Sequence, residues 1–249
     1  MNFKDLFSER ASIYSRYRPD YPDALFDWIR GLVDRHDAVW DCATGSGQAA
    51  KALAQIFSRV IATDASAEQI GHAEPRDNID YQVAPASESG LPDRSVNMVT
   101  VAQALHWFEL DSFYAEVRRV LVPDGALVIW GYGDPVMETL DLEGILHHYN
   151  RGTIEDYWMP ERIIVLERYA NVPFPFREVA TPTLHIERQW TLAELIGYVR
   201  TWSATANYIK STGVDPVPSV EAALAKHWGG EEKRRLVRWP LHIRAGYLS

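Results

Sequence analysis

Asp41-Cys42-Ala43-Thr44-Gly45-Ser46-Gly47-Gln48 is the stretch from which the rest of the chain is read. Before it, Ala38-Val39-Trp40 is short and apolar and reads, with Asp41 and Cys42, as a buried strand. After it, Ala49, Leu53, Ile56 and Phe57 recur at helical spacing and predict a helix over residues 46–57. Glycine at such a strand-to-helix turn lets the backbone approach a ligand closely. The helix start offers N–H groups without partners. Ala43 carries a Cβ, so a negative φ is expected there.

Outward from this turn the pattern repeats. Strands are predicted over 59–63, ending at Asp64, and over 80–83, 96–102 and 126–130. Helices are predicted over 20–35, 66–73 and 111–120. In the first of these, Leu25, Trp28, Ile29, Leu32 and Val33 share one face, and Asp20, Pro22 and Asp23 suit its start. Strand and helix alternate with short turns, which argues for an α/β fold with a parallel sheet covered on both faces. Right-handed crossovers make it doubly wound. After Tyr132 the alternation stops. Residues 134–170 read as helical with aromatics interspersed, 183–190 as a strand, 192–209 as helical, and 236–248 as a strand that Pro240 should bulge or break.

With 249 residues the chain is about one and a half domains long. It reads as one domain: a strap and helix over 1–35, a core over 36–131, a helical insertion over 132–182, and a carboxyl-terminal completion of the sheet over 183–249. At 47% hydrophobic and 24% charged residues, disorder is excluded as the main state. One cysteine, Cys42, excludes a disulfide scaffold and a zinc knuckle, and a buried inert thiol is expected. The net charge of −9 disfavours nucleic acid as a partner. No apolar run approaches the roughly 20 residues that span a bilayer, and residues 1–10 do not read as a secretory signal. The expectation is a soluble, cytoplasmic protein. The oligomeric state is not legible. Nine Trp and twelve Tyr, most of them after residue 105, are the compositional oddity.

The turn, with Asp64 about twenty residues downstream, fits an adenosine-containing cofactor whose ribose hydrogen-bonds to the acid. Gly45, Gly47 and Ala50 also satisfy the dinucleotide pattern, so a nicotinamide-dependent oxidoreductase stays open as an alternative. A P-loop is excluded, because no Gly-Lys-Ser/Thr follows. Asp41 would repel a pyrophosphate and welcome an ammonium, which favours S-adenosylmethionine. The stretch Asp41 to Gly47 then resembles motif I of the class I S-adenosylmethionine-dependent methyltransferases, with Ala43 where the family often has glycine. Ala86-Ser87-Glu88 with Leu91-Pro92-Asp93 resembles the family's adenine-side turn. Val99 to Phe108, including Gln103-Ala104-Leu105-His106-Trp107, resembles motif IV of a trans-aconitate methyltransferase-like subgroup, often labelled type 11. Leu121 to Ala126 and Tyr14-x-x-x-Arg18-Pro19-x-Tyr21-Pro22 resemble further parts of it.

The resemblance spans roughly residues 7–131 and implies a Rossmann-like, seven-stranded, mostly parallel sheet. It implies cofactor contacts from Asp41, Ala43, Thr44, Gly45, Gly47, Asp64, Ala65, Ala86, Ser87, Glu88, Gln103 and Trp107. Tyr14, Arg18, His106 and Trp107 are the candidate substrate residues, and His106 is the candidate base if the acceptor is a hydroxyl or an amine. A carboxylate acceptor needs no base. A catalytically silent, cofactor-binding member of the family stays open as a further alternative. Asp64 can also cap the helix that follows it. No metal is expected: His147 and His148 are adjacent and diverge by about 100° on a helix, with no cysteine cluster beside them. Lys233, Arg234, Arg235, Arg238 and Arg244 form a basic run that reads as a solvated face. Trp107, Phe108, Tyr132, Tyr149, Tyr157, Trp158, Trp202 and Tyr208 are expected to line an apolar cap over the methyl group.

Overall fold

The computed structural model describes residues 17–248. Their contacts divide the chain into two interleaved units. A core unit takes residues 21–133, 163–184 and 241–248, and a second unit takes 17–20, 134–162 and 185–240.

The core unit begins with α1 (Asp23–Arg30), β1 (Ala38–Cys42), α2 (Gln48–Leu53), β2 (Arg59–Asp64) and α3 (Ala67–Gly71). It continues with β3 (Ile79–Val83), β4 (Val96–Ala102), α4 (Leu110–Val120) and β5 (Leu121–Tyr132). The second unit opens with β6 (Val136–Met137) and α5 (Leu140–His148). The chain returns to the core with α6 (Arg162–Leu166) and β7 (Arg177–Glu178). It leaves again through β8 (His185–Trp190), α7 (Leu192–Arg200), α8 (Ser203–Thr212) and α9 (Val217–Trp228), and β9 (Arg235–Tyr247) ends the fold.

In the core unit the order β3-β2-β1-β4-β5-β9 is parallel through β5 and antiparallel at β9, with β7 pairing antiparallel to β9. These strands are the seven of a Rossmann-like sheet. The chain moves outward one way through β1, β2 and β3, then restarts on the other side of β1 with β4. The strand order therefore reverses between β1 and β4, where doubly wound folds open a crevice at the carboxyl ends of their strands.

Register assigns the two faces. Asp41 pairs with Ala62 and Thr100, and Ala62 with Tyr81, so these side chains share the face on which Ala49, Ala50 and Leu53 of α2 are buried. The opposite face carries Trp40, Ile61, Val99, Val101 and Ile129, packed with Phe113, Val117 and Val120 of α4 and with Val165, Tyr169, Val172 and Phe176. Asn97, 5% exposed, fixes where β1 starts: its Oδ1 accepts from the N–H groups of Asp37 and Ala38, both at 3.0 Å.

Several expectations change. β9 is not broken at Pro240. Residues 235–240 pair with β8, and residues 241–247 pair with β5. Proline stands where the strand changes partner, and the next N–H, that of Leu241, bonds to Leu184 O at 2.9 Å. A residue without an N–H costs little at that point. Residues 183–249 thus do not all complete one sheet, because β6, β8 and the first half of β9 form the sheet of the second unit. Residues 134–170 are not one helical run, since β6, α5, a π turn at Tyr149–Thr153 and a 3₁₀ turn at Glu155–Tyr157 interrupt them. The region read as 192–209 is two helices, and α9 was not anticipated.

The aromatics fall into two groups. Tyr149, Trp158, Tyr198, Trp202, Trp190 and Trp239 pack ring on ring as the core of the second unit, and Tyr157 packs against Tyr208. Tyr132 packs instead with Tyr21 in the core unit. Within each unit the aromatics thus pack mainly on one another.

Asn97→Ala leaves two N–H groups at the start of β1 without their acceptor. It should lower the stability of the core by about 2 kcal/mol in urea melts, and an unchanged midpoint would contradict the role given to this amide.

Candidate functional site

The loop after β1 is shaped by left-handed backbone. Ala43, Gly45 and Gly47 have φ of 56°, 58° and 83°. The negative φ expected at Ala43 is not found. A left-handed alanine costs roughly 1–2 kcal/mol, and bonds at both ends of the loop hold it there. Thr44 N–H donates to Thr63 O at 2.9 Å, and Gly47 N–H to Thr44 O at 3.0 Å. Gly47 is glycine for a second reason: a Cβ there would collide with the Tyr81 hydroxyl, which reaches across Ala62 from β3. Gly45 differs, since a Cβ would meet nothing nearer than Gln69 Oε1 at 3.8 Å. Among the described residues, the space beside Gly45 is open enough for a ligand to approach the backbone.

Two carboxylates hold this loop in different ways. Asp64, 9% exposed, accepts from Gly45 N–H at 2.8 Å with Oδ2 and from Ser66 N–H at 2.9 Å with Oδ1. The ligand-facing and helix-start readings of this residue are thus compatible, because each oxygen has a second lone pair. Asp41 has no exposed surface and lies behind the loop. Its oxygens accept from Thr44 Oγ1 at 2.5 Å and Thr100 Oγ1 at 2.8 Å. The direct contact with an ammonium that its position suggested is not available to a fully buried group, so Asp41 buttresses the loop instead. Burial, with a smaller push from Asp64, lifts its carboxyl to about 6 against the lowering hydrogen bonds of Thr44 and Thr100. Cys42 is buried beside it, and burial raises its thiol, so it stays protonated and inert.

Across the reversal of strand order, the end of β4 supplies the other wall. Gln103, at φ 56°, donates from Nε2 to Tyr132 O at 2.9 Å and accepts Tyr132 N–H on Oε1 at 2.7 Å. Its side chain adds one rung to the β4–β5 ladder, and most of its capacity is spent there rather than on a cofactor. Leu105 anchors the following 3₁₀ turn at 1% exposure, while Trp107 stands out at 41%. The His106 and Trp107 rings lie 4.8 Å apart. His106 Nδ1 is buried without a hydrogen-bond partner, and burial pulls the imidazole down to about 4. The ring is neutral at neutral pH but too weakly basic to work well as a general base there.

The turn from Ala86 holds Ser87 and Glu88 exposed and Ala86 half-buried, and Ala65, just after β2, is exposed. The sequence reading missed what orders this turn. Glu116 accepts from Ser89 N–H at 2.7 Å, Ser89 Oγ at 2.5 Å and two nitrogens of Arg119 at 2.8 Å, and Arg119 also reaches Asp93 at 2.7 Å. Burial works to raise the Glu116 carboxyl, but these bonds outweigh it and bring it down to about 2. The signal was present: Glu116 sits on the same helical face as Phe113 and Val120, where a charge is out of place.

Arg18 belongs to the second unit, with its guanidinium 5.6 Å from the Tyr198 ring centroid. Tyr14 lies outside the described residues. Four of the five residues of the basic run are paired: Arg234 with Glu194, Arg235 with Glu138, Arg238 with Glu187 and Arg244 with Glu178. No cluster of three metal-ligating side chains occurs among the described residues. No helix among them is long and apolar enough to cross a membrane. A cavity of about 690 Å³ lies in the second unit beside His148, Tyr149 and Tyr208, and none of the sequence-nominated site residues lines it.

Residues 40–129 match the family described as a methyltransferase domain. A Dictyostelium discoideum protein with a provisional methyltransferase name is 34% identical over 247 residues, 97% of this chain and 94% of that protein. A solved Anaeromyxobacter dehalogenans protein, provisionally named a type II methyltransferase, superposes with a TM-score of 0.87 at 39% identity, covering 93% of this chain and 98% of that one. A Saccharomyces cerevisiae relative whose name specifies S-adenosylmethionine is 30% identical over 154 residues, 58% of this chain and 52% of that protein.

Asp41 tests the buttress account through pH. Its raised carboxyl adds stability that is fully present below its ordinary value of 3.8 and lost as pH rises through about 6. Asp41→Asn should therefore gain on the wild type by about 2 kcal/mol between pH 4 and pH 7.5. Parallel denaturation curves for the two proteins across that range would contradict it. Gly47→Ala should cost at least 2 kcal/mol from backbone strain and the clash with Tyr81, and Gly47→Ala in a Tyr81→Ala background should recover part of that loss.

Proposed function

The chain belongs to the class I S-adenosylmethionine-dependent methyltransferases, and on that footing we propose that it moves the methyl group to a carboxylate oxygen of a small molecule. The nicotinamide alternative rested on glycine spacing alone and has no support among the relatives. The open backbone beside Gly45, between Asp64 and the reversal of strand order, carries this reading. There the loop N–H groups and the Asp64 carboxylate would hold the ribose side of the cofactor. The backbone around Ala86, Ser87 and Glu88, with Ala65, would hold the adenine side. Trp107 would cover the site with an aromatic face, which attracts a cation by roughly 0.5–2 kcal/mol. The buried negative charge of Asp41 favours a cation above the loop without touching it.

When bound, S-adenosylmethionine supplies a methyl group activated by the positive charge on sulfur. A carboxylate that accepts it has no proton to lose. That suits a site whose candidate imidazole, His106, is held neutral and weakly basic by burial. His106 is then a positioning group for the acceptor rather than a base, and Arg18 and Tyr14 remain proposed substrate residues. The reaction needs alignment and the exclusion of water more than acid–base chemistry. A trans-aconitate methyltransferase-like subgroup, no metal requirement and a cytoplasmic location complete the proposal.

Calorimetry with S-adenosylhomocysteine tests the cofactor site. Micromolar binding is expected for the wild type, and Asp64→Ala should weaken it at least tenfold. Wild type without heat of binding, or Asp64→Ala binding as tightly, would overturn the assignment.

A further inference from the structure

The second unit holds a cavity of about 690 Å³, within the size range of small-molecule pockets. None of the residues assigned to the cofactor lines it. One wall is α5, where Asp141, Gly144, Ile145 and His148 follow the three- and four-residue spacing of a single helix face. Another is α9, which contributes Val220 and Ala223. Tyr208 of α8 and the Val214-Asp215-Pro216 turn before α9 also line it.

Gly144 is the telling residue. It stands in the middle of α5, where glycine destabilises a helix relative to alanine. Neither backbone nor packing asks for it. Its φ is not left-handed, and an added Cβ would meet no atom within 4 Å. The missing side chain leaves the cavity wider. The mouth is equally out of keeping with a plain surface. Leu140 and Val214, both in the lining, are 87% and 58% exposed. Large apolar side chains gathered at one opening mark a binding surface more than scattered ones do. α5 also runs into the π turn that supplies Tyr149 and Thr153, and such turns are rare and frequent at functional sites.

The lining decides the charge of the occupant. It contains two carboxylates, Asp141 and Asp215, and no lysine or arginine among the described residues. Asp215 is committed elsewhere: Oδ2 accepts from Arg200 Nη1 at 2.9 Å, and Oδ1 from Val217 N–H at 3.0 Å. Asp141 is less engaged. Its side chain is largely exposed, and His227 Nδ1 comes only to 3.6 Å, beyond hydrogen-bond length. The Tyr149 hydroxyl is bonded to Thr205 Oγ1 at 3.0 Å. The remaining surface is the rings of Tyr208 and His148 and the apolar side chains of Ile145, Val220 and Ala223. A carboxylate beside aromatic and apolar surface attracts an organic cation and repels an anion.

The geometry points to a binding site in the second unit for a small organic amine, its apolar body over Gly144 and its ammonium at Asp141. This inference stands apart from the proposed methyl transfer, and neither depends on the other.

Ligand-observed NMR titrations of the full chain test it with two matched sets of probes. One set is octylamine, octanol and octanoate, and the other is tryptamine, tryptophol and indole-3-propionate. At least one amine should bind the wild type with a Kd below about 1 mM, a strength suited to a ligand of that size. Its alcohol should bind at least threefold more weakly and its carboxylate at least tenfold more weakly. Gly144→Leu fills the space with a good helix former, so it should weaken the amine at least tenfold and leave S-adenosylhomocysteine affinity within twofold. Asp141→Asn should remove the preference for amine over alcohol and leave the alcohol's affinity unchanged. Gly144→Ala should raise the melting temperature by about 2 °C, which a glycine kept for packing would not allow. Failure of both amines to bind, or a carboxylate bound as tightly as its amine, would overturn the site. So would equal amine binding by Gly144→Leu, a preference that survives Asp141→Asn, or a fall in the Gly144→Ala melting temperature. Loss of S-adenosylhomocysteine affinity in Gly144→Leu would also overturn it, by making the cavity part of the cofactor site.

Discussion

Asp64 stands at the end of β2 and accepts the Gly45 and Ser66 N–H groups on its two oxygens, and the rest of the site is arranged around that clamp. One carboxylate ties the glycine loop of β1 to the helix start after β2. It does so at the side of β1 away from β4, so the crevice at the reversal of strand order stays clear. The loop can then afford three left-handed residues in a row of five, because its ends are fixed and its middle is clamped.

Beneath the clamp a second carboxylate works against its own comfort. Asp41 is fully buried and needs both threonine hydroxyls to stay ionised at neutral pH. A buried acid that is hard to ionise stabilises the fold less than a neutral isostere would, which makes it an odd choice for a purely structural position. Its value is electrostatic, since it sets a negative charge behind a loop that faces a cationic cofactor. Opposite it, His106 is kept neutral by burial. Under the proposed function, the two ends of the crevice would favour a cation at the loop and an acceptor that releases no proton.

Much of this was legible in the sequence, and the exceptions have physical causes. The alternation from Ala38 to Trp130 pointed to a parallel sheet, because buried strands and amphipathic helices write their period directly into the residues. The loop, Asp64 and the turn at Ala86 were readable as motifs. The role of Asp41 was not, since burial depends on Ala62, Thr100 and α2 closing over it from distant parts of the chain. Pro240 misled because a strand that changes partner in mid-course looks, in one dimension, like a strand that breaks. The interleaving of two units left no local trace: residues 163–184 return to the core through contacts such as Tyr169 against Gly131, which only the folded register reveals. Most of the later aromatics pack on each other as the second unit's core, a pairing that a count of residues does not show.

The most direct test of the account is methyl transfer itself. The wild-type protein is incubated with methyl-labelled S-adenosylmethionine and a broad panel of acids, alcohols and amines, and the products are read by mass spectrometry. The account predicts label on the oxygen of a small carboxylate, as an ester that mild alkali cleaves. Label found only on alcohols or amines, or on nothing while the cofactor is bound, would contradict it.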